Sequence, residues 1–138
     1  MKDEPVFVLD SFALLAFFQG EPRGVKVKEI IERSLREECR LALATVNLGE
    51  VVYRTIRQHG PERTRNVLAK IEEFGIAIVD VDRDLALEAA NLKVRYRLGY
   101  ADCFVAALAR RLDAAVVTGD PDFRQVEQLI AVEWLPTQ

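Results

Sequence analysis

Five short runs of the chain, residues 6–9, 41–44, 76–79, 114–117 and 130–132, contain only apolar residues and are rich in Val, Ile, Leu and Ala. A strand that is apolar at every position, rather than at every second one, must be covered on both faces. The segments between these runs have helical length and pattern: 12–18, 25–36, 46–58, 61–74, 85–98 and 101–112. Gly60-Pro61 separates two of these helices, because proline is suited to a first helical position. Asp84 is placed to cap the helix from Leu85 onward, and Gly99 to end it in a left-handed turn. Strands alternating with helices imply an α/β fold, a mostly parallel five-stranded sheet sandwiched between helical layers. With 138 residues, one domain over 1–138 suffices. Half the residues are hydrophobic and 30% are charged, a balance that excludes a disordered chain.

Other function classes recede on composition. Cys39 and Cys103 are the only cysteines; they lack metal-ligand spacing and the density of a disulfide-stapled scaffold, and are read as buried, reduced thiols. His59, the only histidine, falls in a loop, which argues against zinc. The apolar stretch from Pro5 to Phe18 is too short for a membrane span and carries Asp10 in its middle, so the expected location is the cytoplasm. A formal charge of −3 does not advertise a nucleic-acid binder, but net charge hides local patches, and a bound cation would invert the sign of an acidic pocket.

The anomalies are acidic residues in elements otherwise given to the core. Asp10 follows strand 6–9 directly and precedes another apolar run, where a carboxylate is costly unless compensated. Asp120, in Thr118-Gly119-Asp120-Pro121-Asp122-Phe123, follows strand 114–117 in the same way. The carboxyl ends of parallel strands form the usual ligand crevice where strand order reverses, so Asp10 and Asp120 converge if their strands are neighbours there. Glu50 shares a helical stripe with Asn47, Arg54 and Arg57 at steps of three and four; alone, that stripe also fits a solvated face with a Glu50–Arg54 ion pair. Asp102 opens a helix so apolar that it must be almost wholly buried, where a carboxylate also suits the helix dipole. Carboxylates brought together repel unless a cation neutralises them. With no His or Cys among them, they suit a hard divalent ion such as Mg²⁺ or Mn²⁺.

Four pieces in this order, Val8-Leu9-Asp10-Ser11, Asn47-Leu48-Gly49-Glu50-Val51, the run from Tyr100 to Ala109 around Asp102, and Thr118-Gly119-Asp120-Pro121-Asp122-Phe123, resemble the PIN-domain nucleases, in particular the VapC-type toxins of toxin–antitoxin systems. The resemblance covers nearly the whole chain and implies a three-layer α/β/α PIN-like fold. It also implies that Asp10, Glu50, Asp102 and Asp120 are catalytic and metal-binding acids, with Ser11 and Thr118 at polar positions beside them. Asp122 is a further metal-binding candidate in the Asp120 loop, and Asp120 ranks first because it lies nearer the strand end. Cys103 stands where relatives often carry alanine. A nucleophilic thiol there would need a partner base, which the sequence does not supply.

The resemblance further implies hydrolysis of RNA phosphodiester bonds with Mg²⁺ or Mn²⁺, an antitoxin that blocks the acidic pocket, and a homodimer. Arg54, Arg57, Arg95, Arg97 and Arg124 are candidate phosphate contacts, and Tyr53 and Tyr96 are candidates for stacking on bases. Helix 12–18 offers apolar surface for a dimer contact. Two other readings stay open. One is a catalytically inactive PIN-like module that binds RNA or protein. The other is a phospho-acceptor receiver domain, which would want an acidic pair after the first strand and a lysine after a late one; here Asp10-Ser11 and Thr118-Gly119-Asp120 stand instead.

Overall fold

A computed structural model describes residues 4–136; the single-domain assignment of 1–138 reaches past it at both ends. The elements are β1 (Val6–Leu9), α1 (Ser11–Phe18), α2 (Gly24–Leu35), β2 (Arg40–Ala44), α3 (Thr45–Glu73), β3 (Ala77–Val79), α4 (Arg83–Arg95), α5 (Tyr100–Leu112), β4 (Ala115–Thr118), a 3₁₀ turn (Pro121–Val126) and β5 (Ala131–Trp134). All five strands are parallel, in the order β3-β2-β1-β4-β5. Order therefore reverses beside β1: the chain builds outward through β2 and β3, then returns to place β4 on the other side.

Alternation along β1 explains the three layers. Val8 points to one face and packs with Val116, Ala42 and Ala44 against Leu85 and Leu92 of α4 and Val105 and Leu108 of α5. Phe7 and Leu9 point to the other, joining Leu41, Leu43 and Val117 against Leu14 of α1, Val27 and Ile31 of α2 and Val51, Val67 and Ile71 of α3. Both faces are covered, as the uninterrupted apolar runs require. Among the described residues no helix is long and apolar enough to cross a membrane.

The expected break at Gly60-Pro61 divides α3 into two helices in continuous register of chain: Gly60 takes φ 86° and ψ 174°, a conformation essentially reserved for glycine. Two boundary expectations fail at α4. The cap is Asp82, whose carboxylate accepts the Leu85 N–H at 2.8 Å, while Asp84 lies within the first turn. The helix begins at Arg83, two residues earlier than expected, so the capping position falls to Asp82 and Asp84 is already helical. Nor does Gly99 end α4. The helix stops at Arg95, Tyr96 is extended, and Gly99, with φ −58°, precedes α5 instead. The intervening chain buries Leu98 completely, and that apolar anchor draws it away from the helical path.

Helix α1, offered as surface for a dimer contact, is buried on one side at Ala13, Leu14 and Ala16 and only partly covered at Phe12, Leu15, Phe17 and Phe18, which pack against the core.

Candidate active site

The reversal of strand order puts the carboxyl ends of β1 and β4 side by side, with Leu9 paired to Val117. Asp10 leaves β1 and becomes the N-cap of α1: its Oδ1 accepts the Ala13 N–H at 2.7 Å, and its Oδ2 accepts the Thr118 hydroxyl from the end of β4. That hydroxyl oxygen also accepts the Asp120 N–H at 3.0 Å. Asp120 in turn caps the 3₁₀ turn through the Asp122 N–H at 2.9 Å. One threonine thus locks two acidic residues that lie far apart in the chain. Gly119, between them, has no room for a side chain, because a Cβ there would lie 2.9 Å from the Phe12 ring.

Glu50 reaches the same place from α3. The Ser11 hydroxyl donates to its Oε1 at 2.6 Å, while Arg54, one turn further, lies 3.5 Å from its Oε2. The ion pair expected of a solvated stripe is therefore present but long and partly exposed, a weak contact, and the shorter bond points inward to Ser11. Asp102 enters from the first turn of α5. Asp10, Glu50, Asp102 and Asp120 all line one pocket of about 270 Å³, together with Ser11, Phe12, Leu15, Ala16, Gln19, Glu21, Arg54 and Gln58. Asp122 is exposed and stands outside that lining.

Electrostatics follow from burial and like charge. Asp10 is 1% exposed; burial raises its pKa to about 7, the Thr118 and Ala13 hydrogen bonds pull it down, and the charges of Asp102 and Asp120 push it up. Asp102 is raised to about 6, by burial first and then by Asp120, Glu50 and Asp122, with Arg54 opposing. Two carboxylic acids titrating near neutrality mark a pocket that resists holding several anions at once.

Among the described residues, no three His, Cys, Asp or Glu side chains stand close enough to clasp an ion directly; the carboxylates stand around the pocket with space between them. That donor set nevertheless fits a hard divalent cation, which takes oxygen ligands and keeps several waters. Each Asp10 oxygen uses one acceptor site on its protein donor and retains another.

The remaining expectations divide. Of the five arginines offered for phosphate, only Arg54 lines the pocket. Arg57 lies over the Tyr53 ring, Arg95 over Tyr96 and Arg124 over Trp134, while Arg97 bonds through its backbone to Gln125. Cys103 is fully buried in the core on the α4–α5 side, and burial pushes its thiol upward, which removes the nucleophile reading. The pocket rim escaped the sequence: Gln19 donates to Gln58 at 2.8 Å, and Glu21 pairs with Arg23 at 3.1 Å, whose guanidinium covers Phe12 at 4.4 Å. Only Gln58 carried a usable signal, standing eight residues beyond Glu50 on the same helical stripe.

The PIN domain family profile matches residues 7–129. Ribonuclease VapC42 of Mycobacterium tuberculosis is 30% identical over 122 residues, covering 83% of this chain and 86% of the relative. VapBC2 from Rickettsia felis, solved bound to a DNA fragment from their promoter, superposes with a TM-score of 0.75 at 16% identity over 95% of this chain and 99% of that one. A toxin–antitoxin complex from Klebsiella pneumoniae gives 0.65 at 19% over 91% and 94%. Those two likenesses speak to the fold, which they share. With the profile spanning most of the sequence and a relative of that identity covering both chains, the chain belongs to the PIN domain family and has VapC ribonucleases among its relatives.

Proposed function

We propose that this chain is a ribonuclease that hydrolyses RNA phosphodiester bonds at the acidic pocket, with Mg²⁺ or Mn²⁺ held by Asp10, Glu50, Asp102 and Asp120. The observation that carries the proposal is the convergence of these four carboxylates, from four different elements, on one pocket. Asp122 contributes charge at longer range and ranks behind Asp120 as a ligand. When bound, the cation supplies the positive charge that the repelling carboxylates need and Lewis acidity toward water and phosphate oxygen.

The chain's own groups orient that chemistry. Thr118 and the Ala13 amide hold the Asp10 carboxylate in one rotamer, and Ser11 holds Glu50. Arg54 offers the guanidinium at the pocket wall for a phosphate oxygen, while Phe12 and Leu15 form an apolar side that limits water. Following its relatives, the chain is proposed as the toxin of a VapBC-type pair in the cytoplasm, acting as a homodimer and silenced by an antitoxin segment laid over the pocket.

The test is incubation with structured and single-stranded RNAs in Mg²⁺, Mn²⁺ or EDTA, beside Asp10→Asn and Asp102→Asn. Cleavage that needs metal and falls by about two to three orders of magnitude in both variants is expected. Full cleavage by either variant would sink the assignment of these acids. No cleavage across the RNA panel, with no metal binding by calorimetry, would make the chain a non-catalytic binding module.

A further inference from the structure

Asn47 is fully buried in the first turn of α3 and makes one side-chain hydrogen bond, from its Nδ2 to the Ala101 carbonyl at 3.1 Å. Its Oδ1, also buried, has no partner. Reversing the amide would set that oxygen against the Ala101 oxygen, so the orientation is fixed by chemistry. A buried acceptor without a donor costs free energy. The bond that Asn47 does make goes to a carbonyl inside α5, where helical geometry provides an amide partner of its own. For stability alone, an apolar side chain of similar volume would serve this position as well or better.

What the bond joins gives it a purpose. Ala101 immediately precedes Asp102 on α5, and Glu50 stands three residues beyond Asn47 on the same side of α3. The bond therefore pins the two helices together within one residue of one pocket acid and one turn of another. The geometry points to Asn47 as a positioning residue, which holds α5 against α3 so that Asp102 and Glu50 present their carboxylates to the same cation. It does not line the pocket and touches no reacting group. This inference rests on the metal-dependent reading above.

The experiment measures two quantities on the full chain: Mn²⁺ affinity by calorimetry and the melting temperature without metal. Asn47→Leu removes the bond and the orphaned oxygen together; Asn47→Ser also cannot span to Ala101 but keeps a small polar group. Expected is a metal-free melting temperature equal to or above that of the unmutated protein, with Mn²⁺ affinity weakened 10- to 100-fold, the range typical when a partner behind a metal ligand is lost. Combining Asn47→Leu with Asp102→Asn should weaken Mn²⁺ binding by less than the product of the two single losses, since the residue acts in part through that carboxylate. Unchanged Mn²⁺ affinity in a folded variant overturns the inference. So does loss of the metal-free fold in both variants, which would make Asn47 a support of stability alone. If the unmutated protein binds no Mn²⁺, the fault lies with the functional reading itself.

Discussion

Asp10 is held by two donors and opposed by two neighbouring carboxylates, and the outcome is a pKa raised from 3.8 to about 7, chiefly by burial. Between those values the native metal-free protein keeps a proton that the unfolded chain has released, so the contribution of Asp10 to stability is fully present below pH 4 and is lost as pH rises through 7. A single proton makes that slope at most about 1.4 kcal/mol per pH unit. Asp10→Asn, which cannot ionise, should flatten the decline; urea unfolding at pH 4.5, 6 and 7.5 without metal measures it, and an unchanged slope would remove Asp10 as the source. Asp82 has the opposite sign: the Arg111 hydrogen bond lowers it to about 2, so its contribution is present above pH 4 and fades as pH falls toward 2. Residues such as Asp10 and Asp120 were legible in the sequence because a carboxylate ending an apolar strand violates the local pattern. Glu50 and Asp102 violate nothing, since a polar helical stripe and an acidic first turn are ordinary features, and they became legible only as members of an ordered set.

At the scale of elements, legibility follows the range of the forces that set a boundary. The Gly60-Pro61 break depends on backbone conformations written into those two residues, and it lies where it was expected. Gly60→Ala should destabilise the protein by about 1–3 kcal/mol, because a Cβ strains this dihedral region although no neighbouring atom lies in its way. A shift of the urea midpoint at unchanged slope reads that cost; no shift would mean that the kink relaxes into continuous helix. The end of α4 was misplaced because it is set from a distance, by burial of Leu98 and by the contact of Gln125 with the Arg97 backbone. Likewise the pocket rim rests on a Gln19–Gln58 bond between residues 39 apart, which no local periodicity displays.

For the whole molecule, strand order decides whether the acids meet. The alternation of strands and helices fixes the layers, but nothing in it says that β1 lies between β2 and β4; only the demand for a site at a strand-order reversal suggested it. Burial, with like charge beside it, raises Asp10 and Asp102, a cost to the ionised native state that the proposed divalent ion would relieve by binding that state alone. Mn²⁺ at about a hundred times its dissociation constant should therefore add about 2.7 kcal/mol of stability, seen as a rise of several degrees in melting temperature at pH 7.5. The rise should shrink at pH 5, where protons compete for Asp10 and Asp102, and vanish in Asp102→Asn. An equal rise in that variant would place the ion elsewhere.

The Thr118 hydroxyl bonds to a carboxylate 108 positions earlier, and β4 is the strand that completes the bed on which both rest. During synthesis, Asp10, Glu50 and Asp102 all leave the ribosome before the residues that gather them. A chain released at residue 113 should therefore leave RNA intact, although it already carries three of the four acids. The proposed ribonuclease would thus be harmless to the message encoding it until β4 and the Asp120 loop have emerged, because those are the parts that arm it.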